Sequence, residues 1–208
     1  MNAMDYLDAL VERYPELTVC KDDIYAAYAH LADCFAKGGS LYICGNGGSA
    51  ADALHIASNL VKAFVQPRPI EEAFAKKLDE ELAGKLQGAL PAYALVENIA
   101  LTTAFANDVD NEYVFAQQVY AYAKEGDCVL GISTSGNSKN ILHAFQVGKA
   151  KGASALGLAG RDGGAMKGVC DVCVIAPETD GFRIQEMHTP IYHTLALMLE
   201  AHFWVKED

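Results

Sequence analysis

The sequence is poor in positive charge. Its 208 residues include 16 lysines and arginines against 27 aspartates and glutamates, so the formal net charge at pH 7 is −11. Binding to nucleic acid or to an anionic membrane rests on broad basic patches, which this composition does not provide. We therefore expect no direct nucleic-acid partner and no membrane partner. An anionic ligand has to be held locally, by hydroxyls, backbone N–H groups and helix N-termini.

Long uncharged apolar runs are also lacking. Even the most apolar region, residues 90–106, contains Glu97 and Asn98, and a membrane-spanning helix needs about 18 apolar residues or more. Residues 1–17 lack the basic start and apolar core of a secretion signal. These absences predict a cytoplasmic protein.

The cysteines do not form a metal or disulfide pattern. The sequence has six of them, and Cys170 and Cys173 form the only close pair. A C-x-x-C pair can bind a metal or act in redox chemistry, but no second Cys or His pair lies near this one. Because the pair falls in a strand-like apolar run, we interpret both as ordinary strand residues.

Apolar patterning predicts an α/β fold. Short apolar runs alternate with segments of helical spacing, which indicates a three-layer sandwich: a mainly parallel sheet with helices on both faces. The chain, 1–208, is expected to form a single domain that starts with an N-terminal helical pair in residues 1–37. The predicted strands are 40–44, 92–96, 128–133, 154–160 and 171–177. Residues 65–91 contain prolines followed by a charged amphipathic helix ending near Gly88, and we interpret them as an insertion or flap.

The first glycine-rich loop lies in LYICGNGGSAADALH, residues 41–55. Gly45, Gly47 and Ala50 fit the dinucleotide fingerprint G-x-G-x-x-G/A. A dinucleotide site also needs a second strand with an acidic residue about 20 positions further on. The sequence there is KAFVQPRPIEE, with prolines where that strand should be. The pattern therefore does not favour a dinucleotide.

A second polar loop, residues 133–138, has the sequence STSGNS between a predicted strand and a predicted helix. Its four hydroxyls and the N–H groups at the helix start favour a phosphate-binding loop, because the helix dipole stabilises negative charge there. An ordinary polar turn is the alternative, although such a turn rarely needs so many hydroxyls. Both loops follow predicted strands, and ligands of parallel sheets bind at the carboxyl ends of strands.

Four segments together resemble the sugar isomerase (SIS) domain, and specifically its phosphoheptose isomerase branch. They are GNGGSAADALH, GISTSGNSKNI, GRDGGAMKG and RIQEMHTPIYH, and the resemblance extends over about residues 25 to 204. It implies a flavodoxin-like SIS fold, a small-molecule sugar phosphate as ligand, and a homotetramer with sites at subunit interfaces. The segment 65–91 is longer than is usual in that family.

The resemblance also implies roles for individual residues. The phosphate is expected to contact the serines Ser49, Ser133, Ser135 and Ser138, with Asn46 and Thr134 lining the site. Asp108 matches an aspartate near the sugar. Gln185 matches a glutamine of the family site, and His193 matches a histidine that acts as acid/base or metal ligand. No cofactor is required, but zinc is bound in some members, which points to His55, His193 and Gln185 as metal ligands.

The chain departs from the family at two positions. The family base is a glutamate in the pattern H-x-x-x-E, and here His55 is followed by Asn59, which cannot accept a proton in that way. Phe182 stands where the isomerases tend to have an aspartate. Two function classes follow: a ketose/aldose phosphate isomerase with His193 as one proton carrier, or a noncatalytic phosphosugar-binding regulator resembling the DnaA initiator-associating branch. Glu71, Glu72 and Glu97 are candidate substitute bases, and we expect weak turnover with intact phosphosugar binding.

Overall fold

A computed structural model describes residues 1–205. Five parallel strands form one sheet in the order β2-β1-β3-β4-β5. The strands are β1 Leu41–Gly45, β2 Ala92–Ala94, β3 Cys128–Ser133, β4 Ser154–Gly160 and β5 Val172–Ala176. All five were predicted from apolar runs, because a strand covered on both faces is apolar along its whole length.

Helices cover both faces of the sheet. The longer ones are α1 Ala3–Arg13, α2 Lys21–Ala36, α3 Gly48–Val61, α6 Ile99–Asp108, α7 Val114–Tyr122, α8 Lys139–Ala150 and α10 Gly181–Trp204. Single-turn helices are α4 Glu72–Ala75, α5 Glu80–Ala83 and α9 Met166–Val169, and 3₁₀ turns occur at Pro15–Cys20 and Asn111–Tyr113. Alternate residues of β1 point to opposite faces: Leu41 and Ile43 pack with α1, α2, α3 and α10, whereas Tyr42 and Cys44 pack with α7 and α8. The predicted three-layer sandwich is confirmed.

The strand order determines where a ligand can enter. From β1 the chain moves outward to β2 and then returns to β3 on the other side of β1. Loops that follow β1 and β3 therefore diverge, and the crevice between them is the switch point at which α/β sheets of this order bind ligands. Both polar loops found in the sequence start here.

The structure corrects the helix predicted within residues 65–91. Instead of one amphipathic helix it contains only the short α4 and α5. Asp79 caps α5 through its side chain, which accepts the Leu82 N–H, and so starts a new turn where a continuous helix was expected. The chain then folds back, with the Gly88 N–H donating to the Arg68 carbonyl at 2.7 Å.

The long last helix, α10, continues through Pro190 from Gly181 to Trp204. No helix in the part of the chain that the structure describes is both long and apolar enough to cross a bilayer. The sequence patterns did not predict α9, which is a single turn and too short to show periodicity.

Candidate functional site

The first loop joins β1 to the N-terminus of α3. Gly47 has a φ of 57°, a backbone conformation that favours glycine, and the helix starts at the next residue. A Cβ at Gly45 would collide with the backbone of Ser49, so the chain can only turn this tightly at a glycine. Ser49 lies in the first turn of α3, and its side chain is buried. The N–H groups of Ser49 and Ala50 donate to the carbonyls of Asn46 and Gly47 within the turn itself, at 3.1 and 3.0 Å.

The second loop, between β3 and α8, is organised by its own hydroxyls. The Oγ atoms of Ser133 and Ser138 lie 2.9 Å apart, and the Ser135 Oγ accepts the Asn137 N–H at 3.2 Å. Gly136 provides the positive φ, 65°, that the turn requires. Backbone donors at the start of α8 and several hydroxyls therefore converge on the switch point, which is an arrangement suited to a phosphate.

The third glycine motif, GRDGGAMKG, is hydrogen-bonded to the second loop. Asn137 Oδ1 accepts the Ala165 N–H at 3.0 Å, and the Gly136 carbonyl accepts the Met166 N–H at 3.0 Å. A Cβ at Gly164 would lie 2.5 Å from the Ser135 carbonyl oxygen. Glycine at position 164 therefore lets the GRDGGAMKG segment pack against the loop 133–138, which explains why the two motifs occur together.

Direct contacts join the first loop to its surroundings. The side-chain amides of Asn46 and Asn140 exchange two hydrogen bonds, at 3.0 and 2.9 Å, which link the first loop to α8. The Gln185 side chain of α10 lies against Gly48, where a Cβ would be 2.7 Å from Nε2. The sequence pattern did not single out Asn140, although it lies only two residues beyond the serine loop.

The structure thus gathers most of the residues expected to bind a sugar phosphate. Those on or beside the two loops are Asn46, Ser49, Ser133, Thr134, Ser135, Ser138 and Gln185. Asp108 lies elsewhere, exposed at the end of α6, where its carboxylate accepts a hydrogen bond from the Asn107 amide at 2.9 Å. The described contacts do not bring Asp108 to the loops.

A histidine pair lies where α3 meets α10. The ring centroids of His55 and His193 are 4.9 Å apart, and His55 Nδ1 lies 3.1 Å from the Tyr192 hydroxyl. Within residues 1–205, the buried Nε2 of His193 has no hydrogen-bond partner. Burial, and secondly the neighbouring His55, lower the pKa of His193. The lowered pKa favours the neutral form of the ring, which can accept a proton.

The carboxylates near this pair differ from those that the sequence suggested. Glu71, Glu72 and Glu97 are all exposed. Asp52 lies one turn before His55 on α3, and one of its oxygens is buried with no partner among the described residues. Burial raises the pKa of Asp52, although Tyr192 and His55 nearby oppose the rise. Its three-residue spacing from His55 is a signal that the sequence analysis did not use.

Position 59 faces the interior. Asn59 is only 4% exposed, and its Nδ2 has no hydrogen-bond partner in the described part of the chain. Its backbone carbonyl accepts a hydrogen bond from Arg68. The Asn59 side-chain amide is therefore buried at the position where the resemblance implies a glutamate.

The donor set does not match a zinc site. A catalytic zinc takes three protein ligands chosen from imidazole, thiolate and carboxylate. Between residues 1 and 205, no three His, Cys, Asp or Glu side chains come together in that way. His55 and His193 supply two imidazoles, and the third candidate, Gln185, is an amide. The described residues therefore lack the third donor that a zinc site needs.

A groove of about 380 Å³ opens beside His193. Its walls come from α1, α10 and the turn after α3, including Tyr6, Arg13, Phe64 and Thr189. Arg13 gives this groove a positive charge close to the histidine pair. Sequence patterning identified α1 but assigned it no place near the site.

Two models of the SIS domain match the chain, over residues 5–87 and 92–201. The chain therefore belongs to the SIS domain family. Both matched ranges contribute to one sheet, because β1 lies in the first and its neighbours β2 and β3 lie in the second.

Named relatives are phosphoheptose isomerases. The protein of Nitratiruptor sp. is 39% identical over 180 residues, which cover 86% of each chain. That of Helicobacter pylori (strain Shi470) is 42% identical over 173 residues, 83% of this chain and 80% of the relative. Among solved structures, the phosphoheptose isomerase from Francisella tularensis has a TM-score of 0.76 at 28% identity and covers 96% of this chain and 98% of its own. Phosphoheptose isomerase GmhA from Neisseria gonorrhoeae has a TM-score of 0.72 at 28% identity and covers 93% and 97%.

Proposed function

We propose that this chain is a phosphosugar isomerase that interconverts ketose and aldose phosphates, with sedoheptulose 7-phosphate as substrate. The observation that carries the proposal is that two helix starts meet at the switch point, one with Ser49 and one with the hydroxyls of residues 133–138, and that the first of these helices, α3, also carries His55. The named relatives support the isomerase and do not favour the noncatalytic alternative.

The phosphate binds at the two loops. Ser49 and the hydroxyls of 133–138 donate to its oxygens, and the N-termini of α3 and α8 stabilise its charge. This local arrangement explains how a chain with a net charge of −11 attracts an anion. Ser49 and His55 are six positions apart on α3, a rise of about 9 Å, and α10 runs beside this stretch, with Gln185 against Gly48 and His193 against His55. The proposed sugar lies along this junction.

The reaction moves one proton between neighbouring carbons. A base removes the proton from the carbon beside the carbonyl, the carbonyl oxygen takes up a proton, and an enediol forms. The proton then returns to the former carbonyl carbon while the neighbouring hydroxyl loses its proton, which yields the aldose. His193 is the proposed proton carrier, and the site lacks a carboxylate at position 59, so we propose slow turnover.

We also propose a homotetramer of this single domain in the cytoplasm. Support for assembly comes from α6, an apolar helix with no buried residue, and from large exposed apolar side chains such as Ile99, at 71%. All six cysteines lie in the described residues and none is paired there, as expected in a reducing compartment.

The double variant Ser133→Ala/Ser138→Ala tests the proposal. It removes two hydroxyls of the phosphate loop while leaving the turn glycine in place. We expect the affinity for inorganic phosphate, measured by calorimetry, to fall at least tenfold, and turnover of sedoheptulose 7-phosphate to fall with it. Ser154→Ala, in β4 and bonded only to the Asp127 carbonyl, is the matched control. Unchanged phosphate affinity in the double variant would refute the site.

A further inference from the structure

Glu200 is a fully buried carboxylate on α10, two turns beyond His193. It accepts three consecutive backbone N–H groups from the turn after α3, those of Phe64, Val65 and Gln66, at 2.8, 3.0 and 2.8 Å. A single side chain therefore determines the path of this turn. The proposed reaction makes no direct use of it.

Arg68 binds both Glu200 and the end of α3. Its Nε donates to Glu200 at 2.7 Å, and both side chains are essentially inaccessible to solvent. Its Nη1 donates to the Leu60 carbonyl at 2.8 Å and its Nη2 to the Asn59 carbonyl at 3.0 Å. These are carbonyls at the end of α3, which lack partners within the helix. The guanidinium also lies 4.7 Å from the centre of the Trp204 ring.

The pair thus ties together three elements that meet at the histidine pair. Through Arg68 it holds the end of α3, the helix that carries His55. Through Glu200 it joins α10, which carries His193, to the turn that carries Phe64. The Phe64 ring lies 5.4 Å from the His193 ring, and its own N–H is one of the three bound by Glu200.

Stability alone does not account for the pair. Removing two charges from water is costly, and well-packed apolar residues of similar volume often stabilise a fold as well or better. A guanidinium and a carboxylate differ from apolar side chains in fixing the directions of several hydrogen bonds at once. Here those directions determine where Phe64 packs.

We propose that Arg68 and Glu200 are positioning residues of the site: they hold Phe64 against His193 and so set the orientation of the His193 ring toward His55. Their effect on catalysis rests on the proposed isomerase function, whereas the contact itself does not. The segment after α3 is then held at its base, while α4 and α5, which have no buried residue, lie at the surface.

The variant Arg68→Gln/Glu200→Gln tests this. Both glutamines keep hydrogen-bonding groups, but the charge pair and the fork geometry are lost. The matched control is Lys21→Gln/Asp8→Gln, which removes an ion pair of similar length, 2.6 Å, at the surface. Histidine labelled at the ring Cε1 carbon is followed by NMR, with the His193 signal assigned by His193→Gln, and kcat and KM are measured on sedoheptulose 7-phosphate.

We expect the His193 signal to move in the double variant and to move in the same direction in Phe64→Leu, which leaves the ion pair intact. We expect kcat to fall about tenfold to a hundredfold with KM changed less than twofold, because a small misplacement of a catalytic group has effects of that size. The surface control should change none of these quantities.

An unmoved His193 signal in the double variant would overturn the inference. If the double variant does not fold, the single variant Glu200→Gln takes its place, and an unmoved His193 signal there has the same meaning. A wild-type protein that neither binds phosphate nor turns over, while the His193 signal still moves in the variants, would refute the proposed function and support the positioning contact.

Discussion

Replacing Asn59 with glutamate should accelerate the isomerase reaction. Asn59 is 4% exposed, one turn after His55, and its side-chain nitrogen is without a hydrogen-bond partner in residues 1–205. No network is therefore broken by the change. Burial raises the pKa of a carboxyl toward neutrality, which is where a general base works best.

The expected gain is large. A positioned general base contributes about 10²- to 10⁴-fold, or roughly 3 to 5 kcal/mol of barrier. We expect kcat on sedoheptulose 7-phosphate to rise within that range in Asn59→Glu, while the affinity for inorganic phosphate stays within about twofold because the loops are untouched. The His193→Ala substitution in the Asn59→Glu background should abolish the gain.

Asn59→Gln is the control, because it has the length of glutamate without the charge. Equal turnover in Asn59→Gln and Asn59→Glu would show that size, and not proton abstraction, sets the rate. Brisk wild-type turnover that Asn59→Glu leaves unchanged would refute the reasoning. In that case a carboxylate already present acts as the base, and Asp52 is the first to test.

Three further predictions concern pH, metal and assembly. His188 is fully buried, and burial lowers its pKa to about 4, below the value of about 6.5 expected in the unfolded chain. The free energy of unfolding should therefore fall by about 3 kcal/mol as the pH drops from 6.5 to 4, because the unfolded state takes up the proton first. In urea unfolding, His188→Leu should weaken this dependence of the unfolding free energy on pH. Wild-type turnover should be the same after dialysis against a chelator, whereas Asn59→Glu, which adds a carboxylate to the two imidazoles, should retain more zinc by elemental analysis. Light scattering at micromolar concentration should give the mass of four chains, and a monomer there would contradict the assembly.

Most of the fold could be predicted from local sequence. The strands at 128–133 and 154–160 coincide with the predicted ones, because burial on both faces leaves an apolar run that needs no knowledge of the neighbours. The failures lie where local patterns conflict. Residues 65–91 have helical periodicity, but the cap at Asp79 and the contacts of Gly88 with Arg68 and Trp204 divide them into separate turns.

The sequence by itself determined the chemistry of the two polar loops that we propose bind phosphate. Glycines at turns with positive φ and serines at helix starts are local requirements, so STSGNS and GNGGS can be recognised without a structure. Only the tertiary structure decided which distant groups face each other. Glu200 lies more than 130 residues from the N–H groups it binds, His55 of α3 contacts His193 of α10, and Asp52 has Tyr192 of α10 as a neighbour. Such contacts arise from the packing of whole helices against the sheet, and this packing depends on the shape of the entire core, which no short segment encodes.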